Sequence, residues 1–180
     1  MNNIEIFDDF FSETQQDYFY NSIFGNDTEK LHPTVDFRVK REPTAIEDDY
    51  KPVSFMHILK SDAILSPHLE NFASIPVTVC EKLNIFLKTI YYGRIFLTNP
   101  YNTDRKYAKP HTDMKIPHWV VLYYVNDSDG DTVFFDNNEN IIDSVTPKRG
   151  RVVFFNGSIL HGGGIPTKGP RCIVNFDIGV

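Results

Sequence analysis

The chain has 180 residues, 41% of them hydrophobic and 14% aromatic, and a formal net charge of −6. That length and apolar content suffice for one full core, so residues 1–180 are expected to form a single domain. The acidic balance argues against a general nucleic-acid binder, which needs a basic surface to displace counterions, and no apolar run approaches the roughly twenty residues a membrane-spanning helix requires.

The segment from Met1 to Glu5 has neither the basic region nor the apolar stretch of a secretory leader. Ser12-Glu13-Thr14-Gln15 has the form of a capping box and opens a helix that runs to Phe24, where Gly25 stops it. Residues 36–52 are polar, hold two prolines and show no period. They read as a surface excursion, with a mobile flap over a site as the functional alternative. From Ile75 to Ile90, Val79, Cys80, Leu83, Phe86, Leu87 and Ile90 fall at helical spacing, with Pro76 suited to a first turn. Cys80 and Cys172 sit in apolar surroundings, like buried thiols rather than a disulfide framework, so a reducing cytoplasm is the expected compartment.

From Arg94 the pattern changes to short β-rich runs: Ile95–Leu97, Trp119–Val125, Thr132–Phe135, Ile141-Ile142, Arg151–Phe155 and Cys172–Ile178. Asn126–Gly130 and Asn137-Asn138 are turn signals between them. Many short strands divided by turns predict a sandwich or barrel, a set that includes jelly rolls. Residues 1–90 are thus expected to be mostly helical support and loops, and 91–180 the β core that carries any site.

His111-Thr112-Asp113 stands out within that half. In a strand, residues i and i+2 share a face, so one short strand can present both side chains to one ion. Forty-eight residues beyond Asp113 comes His161, and ten beyond that Arg171. Two histidines and a carboxylate on one side of a metal leave the opposite positions open, the facial arrangement of non-haem Fe(II) oxygenases. Arg171 adds a permanent cation able to hold a carboxylate through a bidentate pair, and among Pro170, Cys172, Ile173 and Val174 it would need such a partner if buried. By itself a His-x-Asp pair is equally a surface turn, flanked here by Lys109-Pro110 and Met114-Lys115. The cluster of Arg105, Lys106, Lys109 and Lys115 is a solvated loop or a local basic groove.

The residues around these positions resemble the Fe(II)/2-oxoglutarate dioxygenases, in particular their prolyl-4-hydroxylase-like branch. The resemblance runs through Lys106–Asp113, Val120–Asn126, Asp129–Phe135, Thr146–Phe155, His161–Gly164 and Lys168–Arg171. It implies a mainly β fold with flanking helices around a double-stranded β-helix core, a jelly roll of the cupin-like kind. It further implies Fe(II) held by His111, Asp113 and His161, dioxygen, ascorbate as an accessory reductant, and 2-oxoglutarate as co-substrate with its far carboxylate on Arg171. Tyr124 matches a family tyrosine that reaches the same carboxylate, Tyr101 matches a position near the co-substrate, and His118 is a candidate for lining a substrate channel. The expected activity is hydroxylation of a peptidyl proline, another side chain or a small molecule. Asp113 supplies the carboxylate that a halogenase of this fold lacks. Two departures bear on the prime substrate: Asp129-Gly130-Asp131-Thr132 stands where that branch has Gly-Gly-x-Thr, and Asp177 where it often has an aromatic. The alternatives are an AlkB-like nucleic-acid demethylase, with Asn99-Pro100-Tyr101 in place of Asn-x-Tyr and no second arginine after Asn175, and a non-catalytic cupin-like module that binds metal or 2-oxoglutarate.

Overall fold

In the computed structural model, which describes residues 4–25, 35–40 and 54–180, the chain opens with strand β1 (Ile4–Phe7) and helix α1 (Glu13–Phe24). The capping box forms as expected. The Ser12 hydroxyl accepts from the Gln15 N–H at 3.4 Å, and the Gln15 side chain accepts from the Ser12 N–H at 3.2 Å. Strands β2 (Arg38–Lys40) and β3 (Ser54–Lys60) follow, then helices α2 (Leu69–Phe72) and α3 (Ser74–Lys82). Of the polar stretch 36–52, only 36–40 are described, and Arg38–Lys40 pair with β3; the rest of the possible flap lies outside the described residues.

The helix expected to reach Ile90 ends at Lys82. Asn84 takes a left-handed φ of 54°, its N–H bonds to the Glu81 carbonyl at 3.1 Å, and the Ile85 N–H bonds to Cys80 O at 2.8 Å. That reversal satisfies the last carbonyls and stops the helix in the middle of the apolar stripe, leaving Phe86 exposed. The chain then enters strand β4 (Thr89–Thr98), followed by β5 (Trp119–Tyr124), β6 (Thr132–Phe135), β7 (Ile141–Val145), β8 (Val152–Asn156), β9 (Leu160–Gly163) and β10 (Arg171–Gly179).

Among the described residues, seven strands form one antiparallel sheet in the order β1-β8-β5-β10-β4-β3-β2, and three form a second in the order β7-β6-β9. The first half of the chain is therefore more than helical support, since β1, β2 and β3 belong to the large sheet. Strand alternation separates two cores. Val121, Tyr123, Val174, Phe176 and Ile178 point to the side where Phe11, Phe19, Phe72, Ile75 and Val79 cover the sheet. Val120, Leu122, Tyr124 and Ile173 point the other way, to Phe134 and Val145 of the small sheet. Two facing antiparallel sheets with helices on one outer face make this a jelly-roll β fold, as the sequence implied.

The helix-side core is a ring lattice. Phe19 lies 5.3 Å from Phe11, 5.9 Å from Phe72 and 5.3 Å from Tyr123, while Trp119 stacks on Phe154 at 4.7 Å with planes 5° apart. Phe19 is 2% exposed. Phe19→Ala is expected to lower the unfolding free energy by about 3–5 kcal/mol, the cost typical of emptying a core aromatic site, as read by urea denaturation.

Candidate active site

The pocket opens between the two sheets. Its walls include Arg171, Ile173 and Asn175 of β10, Phe96 and Thr98 of β4, Thr132 of β6 and Gly163 of β9, around a cavity of about 110 Å³. The β10 residues are alternate positions of one strand, so the face that Arg171 was expected to share with Ile173 and Asn175 is the face that lines the pocket.

At one end lie His111, Asp113 and His161, whose nearest ligand atoms all fall within 4.8 Å of one another. His161 sits on β9, and His111 is joined to it by a two-bond antiparallel bridge, N–H to carbonyl at 3.0 and 2.9 Å. Asp113 is not in a strand: it lies in the bend after His111, so its side chain reaches the cluster from irregular backbone. Both imidazoles are oriented alike. His111 Nδ1 is 2.9 Å from Lys109 O, and His161 Nδ1 is 3.0 Å from Ile159 O. A carbonyl can only accept, so each Nδ1 carries the proton and each Nε2 is directed into the cluster as a donor atom for a metal. Asp113 Oδ2 is 3.3 Å from His161 Nε2. Two neutral nitrogen donors and a carboxylate in this arrangement fit an Fe(II) ion with open positions.

The charges are strongly coupled. Burial alone would raise the Asp113 pKa, but the hydrogen bond with His161 and the charges of Arg94 and the two histidines overcome it and hold the carboxyl below its usual range. Burial alone would likewise lower His161, and Asp113 reverses that, so the imidazolium persists to higher pH than usual. Arg94 of β4 had no place in the sequence reading. Its Nη2 is 3.1 Å from Asp113 Oδ1, and it forms a short ion pair with Asp177. Asp177 is pushed up to about 7, by burial first and then by Asp113, against the opposing pull of Arg94.

At the other end Arg171 is fully enclosed. Its Nε donates to Gly130 O at 2.8 Å and its Nη2 to Thr132 Oγ1 at 2.7 Å, both neutral acceptors. Among the described residues no carboxylate lies within ion-pair distance of it, and burial lowers its pKa. A side chain at Gly163 would begin 3.4 Å from Nη1 and cover it. Thr132 was legible only as part of a motif, yet it lines the pocket where Tyr124 does not. The Tyr124 hydroxyl is buried behind Thr132 and donates to its Oγ1 at 2.6 Å. The same hydroxyl lies 3.3 Å from the Val145 carbonyl, so it bridges Thr132 and β7. Tyr101 lies on an adjoining groove with Lys106, Tyr107 and Val133, outside the metal pocket. His118 is also elsewhere: its Nδ1 meets Ile116 O at 2.8 Å and its ring packs on Gly157, where a Cβ would fall 2.1 Å away. His57 bonds to Asp36 O and Ser66, with His68 against its ring, and His32 lies outside the described residues.

A family model described as the 2OG-Fe(II) oxygenase superfamily matches residues 96–177, the span that carries the triad, Thr132 and Arg171. The chain is similar to that superfamily over 82 of its 180 residues. It is an Fe(II)- and 2-oxoglutarate-dependent dioxygenase. Among solved structures, this oxygenase resembles a Trichoplax adhaerens prolyl hydroxylase in complex with a hypoxia-inducible-factor peptide, at TM-score 0.68 and 12% identity over 99% of this chain and 84% of that one. A viral collagen prolyl hydroxylase from Paramecium bursaria Chlorella virus-1, in a 2-oxoglutarate complex, gives 0.63 and 16% over 98% and 96%. HygX from Streptomyces hygroscopicus, solved with nickel and 2-oxoglutarate, gives 0.60 and 14% over 98% and 82%. At such identities the likeness establishes the fold. Compared by sequence with curated proteins, the oxygenase matches none. No helix among the described residues is long and apolar enough to cross a membrane.

The linked titrations set a pH dependence for the metal-free protein. His161 has a folded pKa above its ordinary 6.5, so the stability it contributes is whole below that value and is lost as pH rises through the raised one. Asp177 acts in the same sense, losing its contribution between the ordinary carboxylate value of 3.8 and about 7. Asp113 acts oppositely, but its window lies below 3.8. The melting temperature of the metal-free protein should therefore fall as pH rises from about 6 to 8, while metal affinity rises because binding displaces the His161 proton. Thermal melts and metal titrations across that range check both signs.

Proposed function

We propose that His111, Asp113 and His161 hold the iron of this dioxygenase, that Arg171 and Thr132 receive the far carboxylate of 2-oxoglutarate, and that the enzyme hydroxylates an aliphatic C–H bond of a peptide side chain. The observation that carries this is Arg171. A fully buried guanidinium bonded, among the described residues, only to neutral oxygens is half of an ion pair, and it stands in the same pocket as the triad. A dicarboxylic co-substrate joining the two ends completes it.

The chemistry that iron and 2-oxoglutarate supply when bound is dioxygen activation coupled to decarboxylation, ending in hydroxylation of a C–H bond. The residues of the chain bind and orient. Arg171 offers Nη1 to one carboxylate beside the Thr132 hydroxyl, and Gly163 leaves that approach clear. Phe96, Leu122, Phe155 and Ile173 make the walls apolar, which keeps water out and strengthens every charge interaction inside. A peptide substrate is supported by the prolyl hydroxylases among the similar folds, one of them solved with a peptide. HygX, also solved with hygromycin B, marks a small polar molecule as the alternative that a substrate screen must include.

Anaerobic addition of Fe(II) and 2-oxoglutarate should produce a visible metal-to-ligand charge-transfer band, and admission of oxygen should produce succinate. Asp113→Ala should abolish the band. Arg171→Ala should weaken 2-oxoglutarate by about 2–5 kcal/mol, at least tenfold in affinity, and leave metal binding in place. Unchanged 2-oxoglutarate affinity in Arg171→Ala would remove Arg171 from the assignment.

A further inference from the structure

Each of the three candidate metal ligands needs something to aim it. The two histidines are aimed by the chain itself, through Nδ1–H bonds to the carbonyls of Lys109 and Ile159. Asp113 has no such support. It lies outside the strands, and its carboxylate meets two described partners: His161 on Oδ2 at 3.3 Å and Arg94 on Oδ1 at 3.1 Å. The first of those is itself a ligand of the cluster. The second is therefore what orients the carboxylate.

Arg94 is in turn fixed from several directions. It stands opposite Asn175 in the β4–β10 ladder, so its side chain rises from the floor of the pocket. Asp177, wholly buried two positions along β10, takes its guanidinium in the short ion pair. The other Asp177 oxygen faces Asn175 Nδ2 at 3.4 Å. The rings of Tyr92 and Phe96, its alternate neighbours on β4, lie 5.5 and 5.7 Å from the guanidinium carbon. A long side chain held by an ion pair and two rings is a rigid lever, and what it holds is the oxygen of Asp113 other than the one against His161.

We infer that Arg94, anchored by Asp177, is a positioning residue that restricts Asp113 to one metal-facing oxygen. With Oδ1 engaged by Arg94, Oδ2 is the oxygen presented beside His161, and the carboxylate does not rotate to bind through both oxygens. A carboxylate bound through both would occupy a position that an oxygenase needs for co-substrate or dioxygen. The Arg94–Asp177 pair thus keeps a coordination position free, a role separate from that of Arg171 at the far end of the pocket. The inference rests on the metal assignment of the triad.

Co(II) titration, followed by visible absorption, separates the two. Wild-type protein should bind Co(II) with a defined ligand-field spectrum that Asp113→Ala abolishes. Arg94→Met alone strands Asp177 in the interior and risks the fold, so the informative variant is Arg94→Met with Asp177→Leu, which removes the guanidinium and its counter-charge together. In that folded double variant the spectrum should change shape, and Co(II) affinity should fall about tenfold. Arg94→Lys, which keeps one donor near Asp113 Oδ1, should restore the wild-type band shape. A folded double variant with wild-type spectrum and affinity would overturn the positioning role and leave the triad standing. A wild-type protein that binds no Co(II), or an Asp113→Ala variant with an unaltered spectrum, would overturn the triad assignment and this inference with it.

Discussion

Strand β10 is buried on both faces, and the alternation of its side chains organises the molecule. Cys172, Val174, Phe176 and Ile178 enter the aromatic core beneath the helices, while Arg171, Ile173, Asn175 and Asp177 face the small sheet. Because the period is two, no residue can be moved along the strand without exchanging the two sets. Neighbours on both sides lock the register, Asn175 opposite Arg94 on β4 and opposite Leu122 on β5. The guanidinium of Arg171 and the Arg94–Asp177 pair are therefore held at fixed heights along one ribbon, with the metal cluster hung across from them on β9 and the segment that pairs with it.

Two arginines on the pocket side of the large sheet differ in charge balance because their surroundings differ. Arg94 sits between two carboxylates, whose charges outweigh its burial and keep its pKa raised. Arg171 has neutral oxygens for company, and burial dominates. Removing a charge from water costs several kcal/mol even after the protein relaxes, and for Arg171 the hydrogen bonds to Gly130 and Thr132 offset part of that cost. Arg94 is matched by charge within the protein, whereas Arg171 is held by neutral oxygens alone among the described residues.

Much of this was legible in the residues, and the failures have physical causes. The capping box at Ser12, the strands from Arg94 onward and the conjunction of His111, Asp113, His161 and Arg171 carry local signals, a fixed spacing or a period of two, that survive in one dimension. The helix predicted to Ile90 failed because Asn84 ends it by a backbone reversal inside an unbroken apolar stripe. Strands β1, β2 and β3 passed unnoticed because short segments take their identity from partners far away in sequence, as Ile4–Phe7 does from Val152–Phe155. Arg94 was invisible for the same reason: nothing near it in the chain hints that Asp113 and Asp177 will converge on it. Tyr124 matches a family tyrosine that reaches the co-substrate carboxylate, and its hydroxyl bonds to Thr132, a contact that spacing along the chain does not reveal.

The stacking of Trp119 on Phe154 has an optical consequence. The chain holds a single tryptophan, and it is packed with the helix-side core on the face of the large sheet turned away from His111, Asp113 and His161. Its near-ultraviolet emission is consequently a one-site beacon for the sheet–helix interface. Ring stacking and burial tune its colour, and loss of that layer shifts it toward the red of a hydrated indole. The pocket lies on the opposite face, so that emission reports the scaffold apart from whatever binds there.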